Sequence, residues 1–540
     1  MVATPELFTR YFATDRLIVM GDAGVDVGDI VAAIAEVIGS LEEPFEFEVD
    51  SKGGELPTFE IPGQDPVRFY PLVLSEERVS EDRVAAAVNA LNNDVEGIVA
   101  ASPNWLVAPC PPEQGVFGGP GTRPRPEMSP DPYFHFHFYP RLNITHEAIE
   151  DANAGEGVTI YVLDTAPDAE FWDGVAQPAA LVSTLKPKLE IVNIQSIEDQ
   201  FAQQNLENYN APNHNYHMTS HGIFAAGIIH SIAPKAEIKL VRVLNKYGVG
   251  TLSTVLDGLL WVRNHAAAAG SSTRAIVNMS LTVVYPDAVH LSAFRAAPWF
   301  AGWEGFAEAL TAEHEALEAE LIAHRGEEDW GDPPALARPA TAPEHMRFAL
   351  EVVVRTLRGM GVGLIASAGN ERQPGTDAPP TLYPAAYEEV VGVGALASLN
   401  DKTMSAVTQV ATATYSCRAD KPPHDGFLVM GGDTAGNVAS DTDGIVGIWV
   451  DSNIPDPASN ARVPSAPGWA RWAGTSFAAP IITGAVAALM RNGEHSFAES
   501  LQILHEAWNE VSNPQSLAEV PQVVLVQQAP RQPNANEPMA

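Results

Sequence analysis

The chain has 540 residues, 46% of them hydrophobic, which is enough for a large folded core together with a smaller domain. Its 68 acidic and 31 basic side chains give a formal net charge of −37, which argues against binding to nucleic acids and to anionic membrane surfaces. The two cysteines, Cys110 and Cys417, provide no disulfide framework and allow at most one bridge.

The beginning of the chain bears on its location. Residues 1–6 show neither the basic nor the apolar region of a signal peptide. No segment of the sequence is long and apolar enough to span a membrane. We therefore expect a cytoplasmic protein, with a truncated gene start or secretion by a non-standard route as the alternatives.

Residues 1–107 alternate between strand and helix patterns in a way that is typical of a small α+β domain. The predicted order is strand, helix, two strands, helix and strand: Arg16–Met20, Asp29–Ile38, Phe45–Val49, Val67–Leu74, Ser80–Leu91 and Gly97–Ala101. This βαββαβ order predicts a ferredoxin-like sandwich. An unrelated small regulatory domain is the alternative.

Two segments have the composition of exposed, irregular chain. Residues 108–131 are crowded with proline and glycine, which predicts an extended linker that is open to proteases. The composition is similar from about Gln527 onward, and we expect the C-terminal tail, residues 513–540, to be partly disordered. Residues 132–512 between them form the predicted main domain.

The first chemical motif of the main domain is a strand that ends on a carboxylate. The apolar run Gly157–Thr165 carries Asp164 next to its end. A buried central strand of this kind places the carboxylate at the carboxyl edge of a parallel sheet, where α/β proteins build their sites. Taken alone, Asp164 would fit a helix N-cap equally well.

The second motif is a histidine, His221, that opens a helix of small and apolar residues, Ser220–Ile229. Alone it would fit a core histidine equally well. It also completes a His-x2-His-x3-His pattern with His214 and His217, which invites a zinc interpretation. We favour no metal here, because the other two histidines lie in a polar segment.

A second group of histidines is also better explained without metal. His135 and His137 alternate with phenylalanines, as in a half-buried strand.

The last two motifs point to stabilisation of an oxyanion. The strand Gly363–Asn370 ends in Ala-Gly-Asn, and the amide of Asn370 is a suitable donor. Ser476 lies in Gly474–Pro480 before the apolar run Ile481–Met490, which predicts a serine at a helix N-terminus with Pro480 in the first turn. On its own, Ser476 would be read as an ordinary N-cap.

The order Asp164, His221, Asn370, Ser476, each in its strand-end or helix-start context, resembles the subtilisin-like serine proteases (subtilases, peptidase S8). The resemblance covers about residues 132–510. It implies an α/β fold with a doubly wound, mostly parallel sheet over the main domain.

The resemblance also implies roles for the four residues. Ser476 would be the nucleophile, His221 the base that takes its proton and returns it to the leaving amine, and Asp164 the group that orients the imidazole. The Asn370 amide and the Ser476 backbone N–H would form the oxyanion hole.

A polypeptide substrate would then bind as an added strand between two edges. The residues assigned to substrate binding on this basis are Gly248, Val249, Gly250, Ser280, Leu281, Thr282, Ser367, Ala368 and Gly369. The N-terminal domain, including its ending Val99–Trp105, resembles the inhibitory prodomain of subtilases. It would act as an intramolecular inhibitor in a zymogen.

Several positions depart from the family pattern. Ile223 and Phe224 follow His221-Gly222 where the family usually has Thr-His, and Thr282 and Val283 stand where it normally has glycines. Residues 226–234 leave no room for the family's calcium loop. We therefore expect no tight calcium site and no other cofactor, with weak calcium binding by the many carboxylates as the remaining expectation.

Two stretches are long for the family core, at about 167–219 and 286–343. They leave the core near the predicted substrate edges, so lids, docking surfaces and structurally neutral decoration are all open for them.

The sequence thus predicts a serine endopeptidase made as a self-processed zymogen. The first alternative is a selective peptide-maturation or stress and defence protease regulated by its intact N-terminal domain. The second is a catalytically silent binding module, against which the complete set of four motifs argues.

Overall fold

A computed structural model describes residues 11–108, 153–174, 184–204, 218–286, 294–323, 336–396, 412–419 and 426–509, with gaps of at most six residues inside several ranges, and three short strands outside them. The predicted linker, apart from Ala108 and residues 125–126, lies outside the described residues. So does the predicted tail, apart from residues 525–527, and so do His135, His214, His217 and Cys110.

Residues 11–108, the N-domain, form an antiparallel sheet with two helices. The elements in chain order are β1 (Phe12–Asp22), α1 (Val27–Gly39), β2 (Phe47–Val49), β3 (Thr58–Phe59), β4 (Val67–Leu74), α2 (Glu81–Leu91) and β5 (Ile98–Ala108). The strand order is β5-β1-β4-β2 with every pair antiparallel, and β3 adds to β4. This is the arrangement that the βαββαβ pattern predicts.

Helix α1 illustrates why these elements can be predicted from the sequence. Asp26 caps it by accepting a hydrogen bond from the Gly28 N–H. Ile30, Ile34 and Ile38 recur every four residues, so they lie on one face, and all three are buried.

The remaining described elements build the main domain. In chain order they are β6 (Arg125–Pro126), β7 (Phe136–Phe138), β8 (Val158–Thr165), α3 (Ala169–Gly174), β9 (Leu189–Val192), α4 (Gln195–Gln204), α5 (Ser220–Ile232), β10 (Glu237–Leu244), β11 (Gly250–Thr251), α6 (Leu252–Ala269), β12 (Arg274–Met279), β13 (Thr282–Val283), α7 (Phe306–Ala323), α8 (Ala342–Gly359), β14 (Gly363–Ser367), β15 (Val391–Leu396), β16 (Phe427–Met430), β17 (Thr434–Ala435), β18 (Val438–Ala439), β19 (Ile445–Ile448), β20 (Asn453–Pro455), β21 (Arg462–Pro464), β22 (Trp469–Trp472), α9 (Thr475–Leu489), α10 (Phe497–Asn509) and β23 (Leu525–Gln527). Short 3-10 helices cover Lys186–Lys188, Pro298–Gly302 and Arg491–Gly493.

The centre of the main domain is a seven-stranded parallel sheet in the order β16-β15-β14-β12-β8-β10-β9. Alternate side chains of β8 enter two different apolar cores. Tyr161 and Leu163 pack on the face that also meets the N-domain, and Ile160 and Val162 pack with α5 and α9. Burial on both faces explains the continuous apolar strands of the sequence, and it confirms the doubly wound α/β fold.

The predicted insertions differ in character. Part of the first one, Leu189–Val192, is strand β9, which pairs with β10 at the edge of the main sheet and is therefore not decoration. The described part of the second contains the 3-10 helix at 298–302 and helix α7.

Among the described residues, no helix combines the length and the apolar character that crossing a bilayer requires.

Strand β5 is longer than predicted. The sequence pattern ends it at Ala101, but it continues to Ala108 because its last residues find partners in the main domain. Val107 and Leu106 pair with β11, and Ala108 and Val107 pair with β13, antiparallel on both sides.

Candidate active site

The four sequence motifs sit where strands end and helices begin. Asp164 is the penultimate residue of β8, and His221 is the second residue of α5. Asn370 follows β14 by three residues, and Ser476 is the second residue of α9. The carboxyl ends of parallel strands lie at one edge of the sheet, so this topology brings the motifs together.

Asp164 and His221 form a buried pair. The imidazole Nδ1 lies 2.7 Å from Asp164 Oδ1 and 2.9 Å from Oδ2, and both side chains are 0% exposed. Because a carboxylate only accepts hydrogen bonds, Nδ1 carries the proton. In the neutral ring this leaves Nε2 as the acceptor.

A glycine permits this approach. A β-carbon at Gly222 would lie 2.1 Å from the carbonyl oxygen of Thr165, so only glycine lets α5 begin so close to the end of β8. Thr165 adds two contacts: its N–H donates to Asp164 Oδ1 at 2.6 Å, and its Oγ1 accepts from the Gly222 N–H at 3.2 Å.

The second imidazole nitrogen is an orphan. His221 Nε2 is buried and has no hydrogen-bond partner. Buried polar atoms are almost always paired, so an unpaired one calls for an explanation. A general base explains it, because its free nitrogen accepts the proton of a nucleophile only during the reaction.

Ser476 is close to this base but donates elsewhere. Its Oγ donates to the carbonyl oxygen of Ser280 at 3.3 Å, a long hydrogen bond that is easily exchanged. Catalytic hydrogen bonds are often absent or long without substrate and tighten in the reacting complex. Phe477 directly follows Ser476, and the centroid of its ring lies 5.1 Å from that of the His221 imidazole. The histidine motif and the serine motif are therefore in contact.

Aromatic rings also pack against the imidazole. Trp472 meets it edge-on at 5.3 Å, and Phe224 packs on Phe477 at 4.6 Å. Phe224 is the apolar departure noted in the sequence. Nothing in the sequence marks Trp472 and Phe477, because no local pattern identifies a residue whose role depends on tertiary contact.

Pro480 lies in the second turn of α9, not in the first as predicted, since the helix begins at Thr475. Proline has no N–H, so the carbonyl of Ser476, four residues earlier, lacks its helical donor. The Ser280 hydroxyl replaces that donor at 2.8 Å. The backbone of Ser476 is thereby tied to the segment after β12.

This tie continues into the sheet. Asn278 Nδ2 donates to Ser280 Oγ at 3.0 Å, and Thr483 Oγ1 donates to Asn278 Oδ1 at 2.9 Å. All of these side chains are buried. The sequence indicates Ser280 only as a substrate edge, and nothing in it marks Asn278 or Thr483.

Asn370 is oriented by the residue before the serine. Its Oδ1 accepts from both the N–H and the hydroxyl of Thr475, each at 2.9 Å, which places the carbonyl side of the amide toward α9. Gly369 has φ +113°, and a β-carbon there would lie within 3.0 Å of Leu382 and Cys417. The glycine of Ala-Gly-Asn is therefore required by the backbone.

The predicted substrate edges flank the end of β5. Gly250 pairs with Val107, and Thr282 pairs with Ala108, so the side chain of Thr282 does not prevent strand addition. The Val284 N–H also donates to the Leu106 carbonyl at 2.9 Å.

The other predicted edge residues have different settings. Gly248 and Val249 belong to a turn in which the Val249 N–H donates to Asn245 Oδ1. Leu281 and Ser367 are buried, and the Ala368 N–H donates to Val393 within the sheet edge.

A family model described as the subtilase family matches residues 155–510, a range that contains all four motifs. The chain belongs to the subtilase family. The residues placed at the sheet edge are those that the family resemblance selects.

Curated relatives match over short segments. Subtilisin-like protease 9 of Arthroderma otae is 33% identical over 135 residues, which are 25% of this chain and 29% of that protein. Subtilisin-like protease 11 of Trichophyton verrucosum is 27% identical over 142 residues, 26% of this chain and 30% of that protein. The match spans less than a third of the length of either relative.

Two solved structures are similar at 15% identity. The crystal structure of a lanthipeptide protease has a TM-score of 0.41, covering 72% of this chain and 91% of that one. Fervidolysin from Fervidobacterium pennivorans, titled a keratinolytic enzyme related to subtilisin, has a TM-score of 0.47, covering 93% of this chain and 58% of that one.

One strongly shifted carboxyl group of this subtilase lies outside the motifs. Burial raises the pKa of Glu351, on α8, to about 7, with Arg355 opposing the shift and Glu389 adding to it. Arg355 Nε lies 2.8 Å from Glu389, so this is an ion-pair cluster that supports α8. A perturbed pKa alone would have pointed to the wrong place.

Within the described part of the subtilase, no group of three or more His, Cys, Asp or Glu side chains could hold a metal ion. Helix α5 runs without interruption to Ile232, through the stretch where the family's calcium loop would lie.

We expect chelation to have little effect on stability. The Ser476→Ala protein is used so that self-digestion cannot mimic instability. Its thermal midpoint should differ by no more than about 2 °C between EDTA and micromolar calcium, because we expect no tight calcium site whose occupancy would be linked to folding. Magnesium at the same concentration is the control. A drop of many degrees specific to calcium removal would reveal a tight site.

Proposed function

We propose that this subtilase is a serine endopeptidase that hydrolyses peptide bonds through an acyl-enzyme. The observation that carries the proposal is the buried Asp164–His221 pair, whose unpartnered Nε2 lies beside the helix start that bears Ser476. Few arrangements other than nucleophile activation explain a buried imidazole that is held on one side and unsatisfied on the other.

The chemistry follows from these positions. Ser476 Oγ attacks the carbonyl carbon of the peptide bond while its proton passes to His221 Nε2, and the oxyanion receives hydrogen bonds from the Ser476 N–H and the Asn370 amide. His221 then gives the proton to the leaving amine as the C–N bond breaks. Water repeats the sequence on the acyl-enzyme, and Asp164 stabilises the imidazolium in both halves.

We further infer that the N-domain is the inhibitor of this site. Residues 106–108 at the end of β5 form the middle strand between β11 and β13, which is the position expected for the acyl side of a substrate. A tethered inhibitor acts at a high effective concentration, so even a modest intrinsic affinity keeps the cleft occupied.

The zymogen proposal predicts self-processing. Purified wild type should separate into two fragments on a denaturing gel, cut between Trp105 and Asp131, because this segment follows the strand that enters the cleft. Ser476→Ala should remain one chain. An active wild type that stays intact would reject self-processing and favour regulation by an uncut N-domain.

That second function, a selective protease controlled by its intact N-domain, has an observation in its favour. Trp303, in the second insertion, donates its indole N–H to the carbonyl of Ala85 in the N-domain at 3.3 Å, and neither residue belongs to the strands that pair at the cleft. Contacts of this kind hold the domain independently of any cut.

The oxyanion assignment is tested by Asn370→Asp. The substitution keeps the oxygen that accepts from Thr475 and removes the amide donor, so kcat should fall about 100- to 1000-fold with little change in KM. This range is the loss known for the oxyanion-hole asparagine of subtilisin, a member of the same family. Thr381→Ser, a conservative change nearby in the same segment, is the control. A rise in KM of similar size with unchanged kcat would contradict the role, because it would mean that Asn370 contributes to substrate binding and not to the transition state.

A further inference from the structure

A segment of the second insertion contacts the N-domain through residues that are not part of the strand pairs at the cleft. We call its described residues 294–323 the clamp; it consists of Phe294, the 3-10 helix at 298–302, Trp303 and helix α7. Tyr11 of the N-domain lies 4.5 Å from the Phe294 ring, and Phe12 lies 5.3 Å from Trp299. The clamp thus shares an aromatic core with the first strand of the N-domain.

Trp105 is the centre of this core. It is 0% exposed, and its ring lies 6.2 Å from each of Phe294, Trp299 and Trp303 of the clamp. Trp105 pairs with Phe12 in the N-domain sheet, directly before the three residues that enter the cleft. Large buried aromatic side chains carry most of the binding energy of interfaces.

The clamp is anchored to the main domain. Glu313 on α7 accepts a hydrogen bond from Arg347 on α8, and Glu318 pairs with Arg418. Arg347 is itself fixed by stacking on Tyr383, with 4.8 Å between its guanidinium carbon and the ring centroid. One side of the clamp is therefore held by ion pairs, and the other side presents aromatic rings to the N-domain.

Other contacts outside the cleft also hold the N-domain against the main domain. Ser102 Oγ donates to the Met346 carbonyl on α8 at 2.9 Å, and Asn104 Oδ1 accepts from the Ser253 N–H at the start of α6. By comparison, three described residues of the N-domain, 106–108, pair with the strands at the cleft edges.

We propose that the clamp is a docking surface for the N-domain that works independently of the cleft. Once the linker is cut, the N-domain stays bound as a second polypeptide, whether or not residues 106–108 remain paired with the strands at the cleft. The identity of the cleft rests on the proposed protease function, but the docking does not.

The test uses the full chain with Ser476→Ala and a recognition sequence for an unrelated site-specific protease placed within residues 109–124. After cutting, the two fragments should co-elute on size exclusion. Trp299→Ala and Trp303→Ala should each raise the dissociation constant about 10- to 100-fold. Trp303→Phe, which keeps a ring but loses the N–H to Ala85, should raise it about 2- to 10-fold.

Cleft pairing is tested in the same cut protein by Val107→Pro, which disrupts the strand between β11 and β13. We expect less than about a fivefold change in the dissociation constant. A chain that lacks residues 106–108 serves as the second variant if the proline prevents folding. Trp172→Ala, which removes a tryptophan buried in the other core, is the control and should leave the constant unchanged.

Fragments that separate after cutting would overturn the proposal. The proposal would also be overturned if Val107→Pro or the deletion of residues 106–108 released the N-domain while the clamp variants left its dissociation constant unchanged. These experiments measure binding of the N-domain and not peptide hydrolysis. An incorrect protease assignment would therefore appear in the activity assays and would leave the binding results unaffected.

Discussion

Ser476→Ala is expected to abolish peptide hydrolysis and to leave the fold intact. The substitution removes the Oγ that attacks the peptide bond, and for subtilisin the equivalent change costs about a millionfold in kcat. The structural loss is one long hydrogen bond to Ser280, at 3.3 Å, so the thermal midpoint should hardly move. Hydrolysis of casein and of a chromogenic peptide, together with circular dichroism, measures both parts.

Ser500→Ala is the matched control for that experiment. Ser500 is also a buried serine on a helix, α10, and its hydroxyl donates to the Ser496 carbonyl at 2.8 Å. It should retain activity. Hydrolysis by Ser476→Ala at a rate near that of the wild type would show that the nucleophile lies elsewhere.

Asp164→Asn should lower kcat/KM about 10,000-fold. The amide has nearly the shape of the carboxylate, but its NH2 group would donate to His221 Nδ1 and force the proton onto Nε2. The imidazole could then no longer accept the serine proton. A kinetic assay on the linker-cut enzyme, with the thermal midpoint as a check on folding, measures the loss.

Asp168→Asn provides the comparison for Asp164. This carboxylate lies four residues further on, its side chain is 81% exposed, and it is 3.4 Å from Arg242. An exposed ion pair of this kind contributes little, so activity should stay within about twofold. Similar losses in the two variants would mean that burial and the contact with His221 are irrelevant to catalysis.

The elements that are specified locally are predictable from the sequence. Helix α1 is readable from its Asp26 cap and its isoleucine face, and β8 from an apolar run that ends on Asp164. The ferredoxin-like strand order follows from the alternation of such elements. The positions of Asp164, His221, Asn370 and Ser476 at strand ends and helix starts are predictable for the same reason.

What could not be predicted depends on partners distant in the chain. Strand β5 extends to Ala108 because its last residues pair with the strands that contain Gly250 and Thr282. Those strands lie more than a hundred residues further along the chain, and local propensity carries no information about them. The contact of Trp472 with His221 and the role of Ser280 under Ser476 are tertiary in the same sense. The predicted placement of Pro480 was wrong because Ser280 supplies the donor that the proline removes.

The most direct test of the catalytic assignment is covalent labelling by a fluorophosphonate probe, with the modified residue identified by peptide mass spectrometry. After the linker has been cut, we predict a label on Ser476 in the wild type and none in Ser476→Ala or His221→Ala. A label on another residue, or equal labelling of Ser476→Ala, would contradict the assignment.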